Sequence, residues 1–176
     1  MKRNFLLSCA LLTALVCGAG SVSAQDLKLP KKVSNVQVQS LDEQAVTIPH
    51  FGEKNLIIFY MDPDRHKQND GFTKEFEAQE RGKGENLFSF GIVNKYDSAI
   101  PLGWIRSGAR NRTKNNGGTA LIDVEGNVQT KWGLGDCNNM FVLLVVSKEG
   151  ELVYCKKGEL SRKDIDDFYK FIEDYK

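Results

Sequence analysis

Asn55-Leu56-Ile57-Ile58-Phe59-Tyr60-Met61-Asp62-Pro63-Asp64-Arg65-His66-Lys67 is the stretch on which the fold turns. After Asn55 it runs apolar without interruption to Met61, the pattern of a buried strand. Phe72, Phe76 and Gln79 follow at helical spacing, and Gly82 and Gly84 stop that helix. The chain therefore switches here from strand to helix, a place where a helix N-terminus lowers the pKa of a thiol. Yet Tyr60 to Lys67 holds no cysteine. The frame of a redox site is present and its chemistry is absent.

Upstream, Val36 and Val38 alternate with polar neighbours, turn-prone Asp42-Glu43 follows, and Ala45 to Ile48 completes a hairpin that Pro49 ends. Downstream, Leu87 to Val93 reads as a second apolar strand. Pro101 suits the first turn of a helix whose inner side would be Trp104, Ile105 and Ala109. Asn115-Asn116-Gly117-Gly118 breaks that helix, and Thr119 to Asp123 is a short strand. Phe141 to Val146 has no polar alternation, and Lys148-Glu149-Gly150 turns it into Glu151 to Cys155 as a hairpin. Ser161 and Asp164 resemble a capping box for a last helix with Ile165, Phe168 and Ile172 as its apolar stripe. Parallel crossovers first and an antiparallel hairpin last describe an α/β fold with a mixed sheet and helices on both faces, carrying an N-terminal β-hairpin extension. That is a thioredoxin-like layout.

The first residues read as an address. Lys2 and Arg3 precede the apolar stretch Phe5 to Val16, and Val22-Ser23-Ala24 is a small-residue cleavage site. Cleavage near Ala24 assigns 1–24 to a signal peptide and 25–176 to a single domain. Cys17 after Ala14-Leu15-Val16, and Cys9 with little apolar chain ahead of it, fit soluble export better than a lipid anchor. The predicted destination is the periplasm or the outside medium. Loss of Lys2 and Arg3 leaves 22 basic against 23 acidic residues, a net charge of −1 that favours neither nucleic acid nor a membrane surface. The apolar stretch is too short to span a bilayer, and no second one follows, so no integral membrane segment is expected in the mature chain. Two cysteines remain, Cys137 and Cys155, which is no disulfide framework.

Two segments carry a closer resemblance. Thr119 to Val128 followed by Lys131-Trp132-Gly133-Leu134 resembles the strand–turn–helix insert of peroxiredoxins and secreted thioredoxins, and Val145 to Tyr154 with Gly158 to Ser161 resembles their last hairpin and helix start. More narrowly, Ile92-Val93-Asn94, Asp97, Ala99-Ile100-Pro101 and Ile105-Arg106-Ser107 resemble the YtfJ family of exported bacterial thioredoxin-fold proteins. The chain departs from the family pattern at Asp97-Ser98-Ala99 and in a longer segment from Gly135 to Met140. The resemblance implies a periplasmic protein and no established reaction.

Candidate residues fall at three places. Asp64, Arg65 and His66 would bind an anion or a partner at the helix start, or Asp62 or Asp64 would merely cap it. Asp97 and Asn94 stand at the carboxyl end of the second strand, where ligands of open α/β sheets bind, or where Asp97 bonds loop amides. Asp62, Asp64 and His66, with His50 further off, are too poor in His and Cys for a convincing zinc site, and neither metal nor cofactor is expected. Cys137 would face the Asp64–His66 corner with Arg65 lowering its pKa, and hairpin register sets Cys155 opposite residue 143 or 144. A disulfide, two buried free thiols and a redox pair all remain open. Gln68 stands near the position of a peroxidatic cysteine. The basic run Arg106, Arg110, Arg112 and Lys114 is either a solvated helix face or a contact for an acidic partner. The expected activity is binding of a protein, peptide or small molecule. The alternative is a thiol–disulfide oxidoreductase using Cys137 and Cys155.

Overall fold

The computed structural model describes residues 27–176, so the signal-peptide expectation lies outside the described residues. The elements are β1 (Lys31–Lys32), β2 (Gln37–Gln39), β3 (Ala45–Thr47), β4 (Asn55–Met61), a 3-10 turn (Pro63–Arg65), α1 (Asp70–Ala78) and β5 (Leu87–Asn94). They continue as α2 (Leu102–Asn116), β6 (Ala120–Asp123), α3 (Asn127–Lys131), β7 (Phe141–Val146), β8 (Glu151–Lys157) and α4 (Arg162–Glu173). One sheet of eight strands runs β1-β8-β7-β4-β5-β6-β2-β3. β4, β5 and β6 are mutually parallel, and the other pairings are antiparallel.

β4 sits between β5 and β7, and its alternating side chains build two cores. Leu56, Ile58 and Tyr60 join Trp132, Val142 and Leu144 on the face that carries α3. Ile57 joins Phe72, Phe76, Leu143, Phe168 and Ile172 beneath α1 and α4, with Phe59 and Met61 packed against them. Edge-to-face rings knit this second core: Phe59 meets Phe76 at 5.2 Å and Phe72 meets Phe168 at 5.8 Å between centroids. Buried area of this kind is what holds helices on a sheet.

Several local expectations hold for stated reasons. Ser161 and Asp164 form a reciprocal capping box at α4. Gly117 adopts a left-handed conformation (φ 66°) and ends α2, as the Asn-Asn-Gly-Gly break predicts. Leu144 lies opposite Cys155 in the β7–β8 ladder.

Other expectations are corrected. The helix does not start at the strand's end: Pro63 and the Asp62 cap make a 3-10 turn, and Asn69 in a left-handed conformation (φ 65°) precedes α1. α1 ends at Ala78, with Gln79 as its exposed C-cap, before Gly82 and Gly84, which the sequence marks as the stop. Trp104 lies outward with 74 % of its surface exposed, and Ile105 alone of the expected trio is fully buried. β1 was not legible at all; Lys31 and Lys32 extend the sheet beyond β8.

Candidate functional site

Three loops meet at the carboxyl ends of β4 and β5. Asp62, wholly buried, accepts the Asp64 amide on Oδ1 at 2.8 Å and the Asn139 amide on Oδ2 at 2.9 Å. It therefore caps its own turn and also holds the 135–140 loop. Burial pushes the Asp62 carboxyl above its ordinary pKa, and the two amides pull the other way. The Ser98 hydroxyl donates to Asp64 Oδ2 at 2.9 Å, tying in the third loop, and accepts the Ile100 amide at 3.1 Å. Gln68, which stands near the cysteine position of peroxiredoxins, accepts the Phe141 amide at 2.7 Å. Replacing Asp62 by alanine should cost about 1 kcal/mol through the lost cap. Hydrogen exchange at the Asn139 amide should then accelerate at least about tenfold, and an unchanged rate would show that the 135–140 loop holds itself.

Of the predicted residues, Asp64, Arg65 and His66 share the outer side of this junction and are exposed. His66 Nδ1 donates to the Pro63 carbonyl at 3.0 Å. Asp97 is half-buried and accepts the Asn94 side-chain amide at 2.8 Å; the loop amide that Asp97 was expected to bond is held by Ser98. Asp97 thus belongs to the same loop as Ser98 but is directed to its base, where its charge acts on Tyr60 and Cys137. Beneath it, Asp123 accepts the Asn127 and Val128 amides at 2.8 Å each and the Tyr60 hydroxyl at 3.3 Å. The Asp-x-x-Gly turn therefore serves to start α3. Burial raises the Asp123 pKa against those bonds.

The cysteines are not placed as a reactive thiol requires. Both are free, and Cys137 is wholly buried. Burial pushes its thiol up to about 12, with Lys157 and not Arg65 as the opposing charge. The Cys155 thiol is raised by burial as well. Among the described residues no three of His, Cys, Asp and Glu converge as metal ligands. His50 pairs instead with Glu53 at 3.0 Å. Two arginines of α2 have partners in the β2–β3 hairpin: buried Arg106 holds Gln39 at 2.7 Å and Glu43 at 3.1 Å, and exposed Arg110 holds Asp42 at 3.2 Å. Arg106 and Arg110 thus hold the hairpin of β2 and β3, Arg112 reaches Asp70 and Thr73 of α1, and Arg110 and Lys114 remain on the solvated face that the sequence suggests as one alternative.

Beside the junction a cleft of about 620 Å³ opens between α1 and α2 over the sheet. Pro63, His66, Ile100 and Trp104 line its mouth, and Phe59, Gly91 and Val93 are on its floor. Sequence reasoning missed it. The one available signal was Gly91, a residue without a side chain inside an otherwise apolar strand.

Fold and site together define a thioredoxin-like protein without a Cys-x-x-Cys motif. The model of the family described as "Bacterial protein of unknown function (YtfJ_HI0045)" matches residues 65–175, and the chain belongs to that family. No curated protein matches it. Similar solved structures include a peroxiredoxin-like protein from Aquifex aeolicus, with 15% identity, 83% of this chain and 88% of that one covered, and a TM-score of 0.58. The thioredoxin domain of a thiol-disulfide oxidoreductase from Bacteroides vulgatus has 13% identity, coverage of 85% and 98%, and a TM-score of 0.55. The pneumococcal exposed lipoprotein thioredoxin from Streptococcus pneumoniae has 14% identity, coverage of 78% and 99%, and a TM-score of 0.52. At such identities the likeness establishes the fold. Among the described residues no helix is long and apolar enough to cross a membrane.

Proposed function

We propose that this chain is an exported binding protein of the bacterial envelope and not a dithiol catalyst. Its binding face is the junction of the Asp62–His66, Asn94–Pro101 and 135–140 loops, with Asp64, Arg65, His66 and Asp97 as ligand-facing or loop-ordering residues. The observation that carries this reading is the separation of the two chemistries. The junction is braced by hydrogen bonds and exposes Arg65 and His66, while the Cys137 thiol of the 135–140 loop is wholly buried. Exposed aromatics support it: Tyr96 at 54 % lies in the Asn94–Pro101 loop and Trp104 at 74 % in the first turn of α2 after it. The resemblance to an exposed lipoprotein thioredoxin is in keeping with export, as is the apolar stretch Phe5 to Val16.

The test is alkylation of the native protein at pH 7, read by mass. A thiol at about 12 instead of 9.0 carries roughly a thousandfold less thiolate. Native Cys137 should therefore react about a thousandfold more slowly than after unfolding. Fast native labelling, with ready exchange against glutathione, would replace the binding reading by the oxidoreductase one. Cell fractionation tests the location separately, and a cytoplasmic protein would remove the envelope role.

A further inference from the structure

The cleft between α1 and α2 has dimensions and chemistry that narrow the ligand. From Trp104 at its mouth to Gly117 at its far end, α2 advances about 20 Å at 1.5 Å per residue. A volume of about 620 Å³ along that length describes an elongated trough, open on one side, that one extended chain can follow.

The walls ask for an apolar body. The helix-borne hydroxyls are already engaged: Thr73 Oγ1 donates to the Asp70 carbonyl at 3.2 Å and accepts Arg112 at 3.1 Å, and Thr113 Oγ1 donates to the Ala109 carbonyl at 3.1 Å, which leaves Ser89 and Thr119 as the hydroxyls of the sheet side. Charges of the walls are engaged too, with Lys83 on Glu80 at 2.5 Å and Arg112 at 3.6 Å from Asp70. Glu77 lines the wall and has an interaction of its own. A polar ligand would find few open partners inside. The floor is lowest at Gly91, where an added Cβ would meet nothing closer than 3.9 Å.

The mouth is different. Arg65, His66 and Lys67 are consecutive and exposed, and none forms an ion pair with another described residue. His66 lines the entrance to the trough, and Arg65 and Lys67 adjoin it in the chain. We propose that the cleft binds a single-chain anionic amphiphile, its alkyl chain between α1 and α2 over Gly91 and its anionic head against Arg65, His66 and Lys67. This rests on the binding reading above and names its ligand class. A free long-chain carboxylate and a lysolipid with an anionic phosphodiester head share that chemistry. Trp104 stands at the head–chain boundary, where an amphipathic ring is at home.

The test titrates the purified protein with hexadecanoate below its aggregation concentration and follows tryptophan emission. Trp132 is wholly buried on the opposite face of the sheet, so the changing signal belongs to Trp104. A saturable blue shift is expected, with affinity rising about tenfold for every two methylenes between eight and sixteen carbons. Gly91→Leu should abolish the shift without lowering the unfolding midpoint, because the site has room for the new side chain. Combined R65A and K67A should weaken binding about tenfold. A parallel titration with a single-chain phosphatidylglycerol separates the two sources, and tighter binding of either supports the proposal. No saturable shift with either probe, an affinity indifferent to chain length, or unaltered binding by G91L would overturn it. So would saturable binding of an apolar decapeptide alone. None of these results changes the alkylation rate of Cys137 or the protein's location, so failure here leaves the broader binding reading to its own tests.

Discussion

Replacing Trp132 by alanine should remove about 3–5 kcal/mol of stability, the range for deleting a fully buried large aromatic side chain. Trp132 is 0 % exposed and caps the end of α3. Its indole N–H donates to the Ser34 carbonyl at 2.9 Å, and its own carbonyl accepts Lys31 Nζ at 2.7 Å. One side chain therefore joins α3, the first core and the segment between β1 and β2. Removing it leaves a cavity against Val128 and Leu134 and deprives a carbonyl of its donor. Urea unfolding measures the loss, and Trp132→Phe should keep most of the packing at a cost below about 2 kcal/mol. An alanine cost under about 1 kcal/mol would mean that this core repacks around the gap.

Alkaline solution should unfold the protein earlier than its size and charge suggest, with Cys137 as one named cause. In the unfolded chain the thiol loses its proton near 9.0, whereas burial holds it in the fold to about 12. The unfolded state releases the proton first. Stability is therefore fully retained below about pH 9 and falls as pH rises towards 12. At pH 10.5 the thiol's share of that loss is about 2 kcal/mol. Tyr154 and Tyr169, each held up to about 12, and Tyr60, raised further still by burial beside Asp123, add losses of the same sign. Unfolding at pH 8 and 10.5 isolates the thiol: the difference between the two pH values should shrink by about 2 kcal/mol in Cys137→Ala, whatever the variant's stability at pH 8. Equal differences would mean that Cys137 ionises in the fold, which would also reopen the oxidoreductase reading.

The fold was legible where one pattern served one purpose. The apolar runs from Leu56 and Phe141 have no polar interruption because both faces of β4 and β7 are covered. Ser161 and Asp164 were readable because a capping box is a local device. The family motifs were readable for the same reason, since Asp123 reaches amides only four and five residues away. What was hidden depends on distant partners. Trp104 has an inward-looking spacing, yet α2 stands off the sheet and leaves the ring at a cleft mouth. Arg106 reads as a surface charge because nothing nearby in sequence announces Gln39 or Glu43. The bracing of the site by Asp62 and Ser98 spans 77 and 34 residues, beyond any periodicity. Asp64, Arg65 and His66 were chosen for their place at the strand-to-helix switch, and they are exposed there.

The outermost strand has a consequence for the order in which the molecule is made. Lys31 pairs with Leu152 and Lys32 with Glu151, whereas β2, only a few residues later, pairs at the opposite end of the sheet. A chain synthesised from its N-terminus therefore holds its first strand without a partner until β8 has emerged. Closing so long a loop is entropically slow and rewards the chain only at the end. The belt fastened by Lys31 cannot close before β8 has been made, whatever else of the sheet has paired by then.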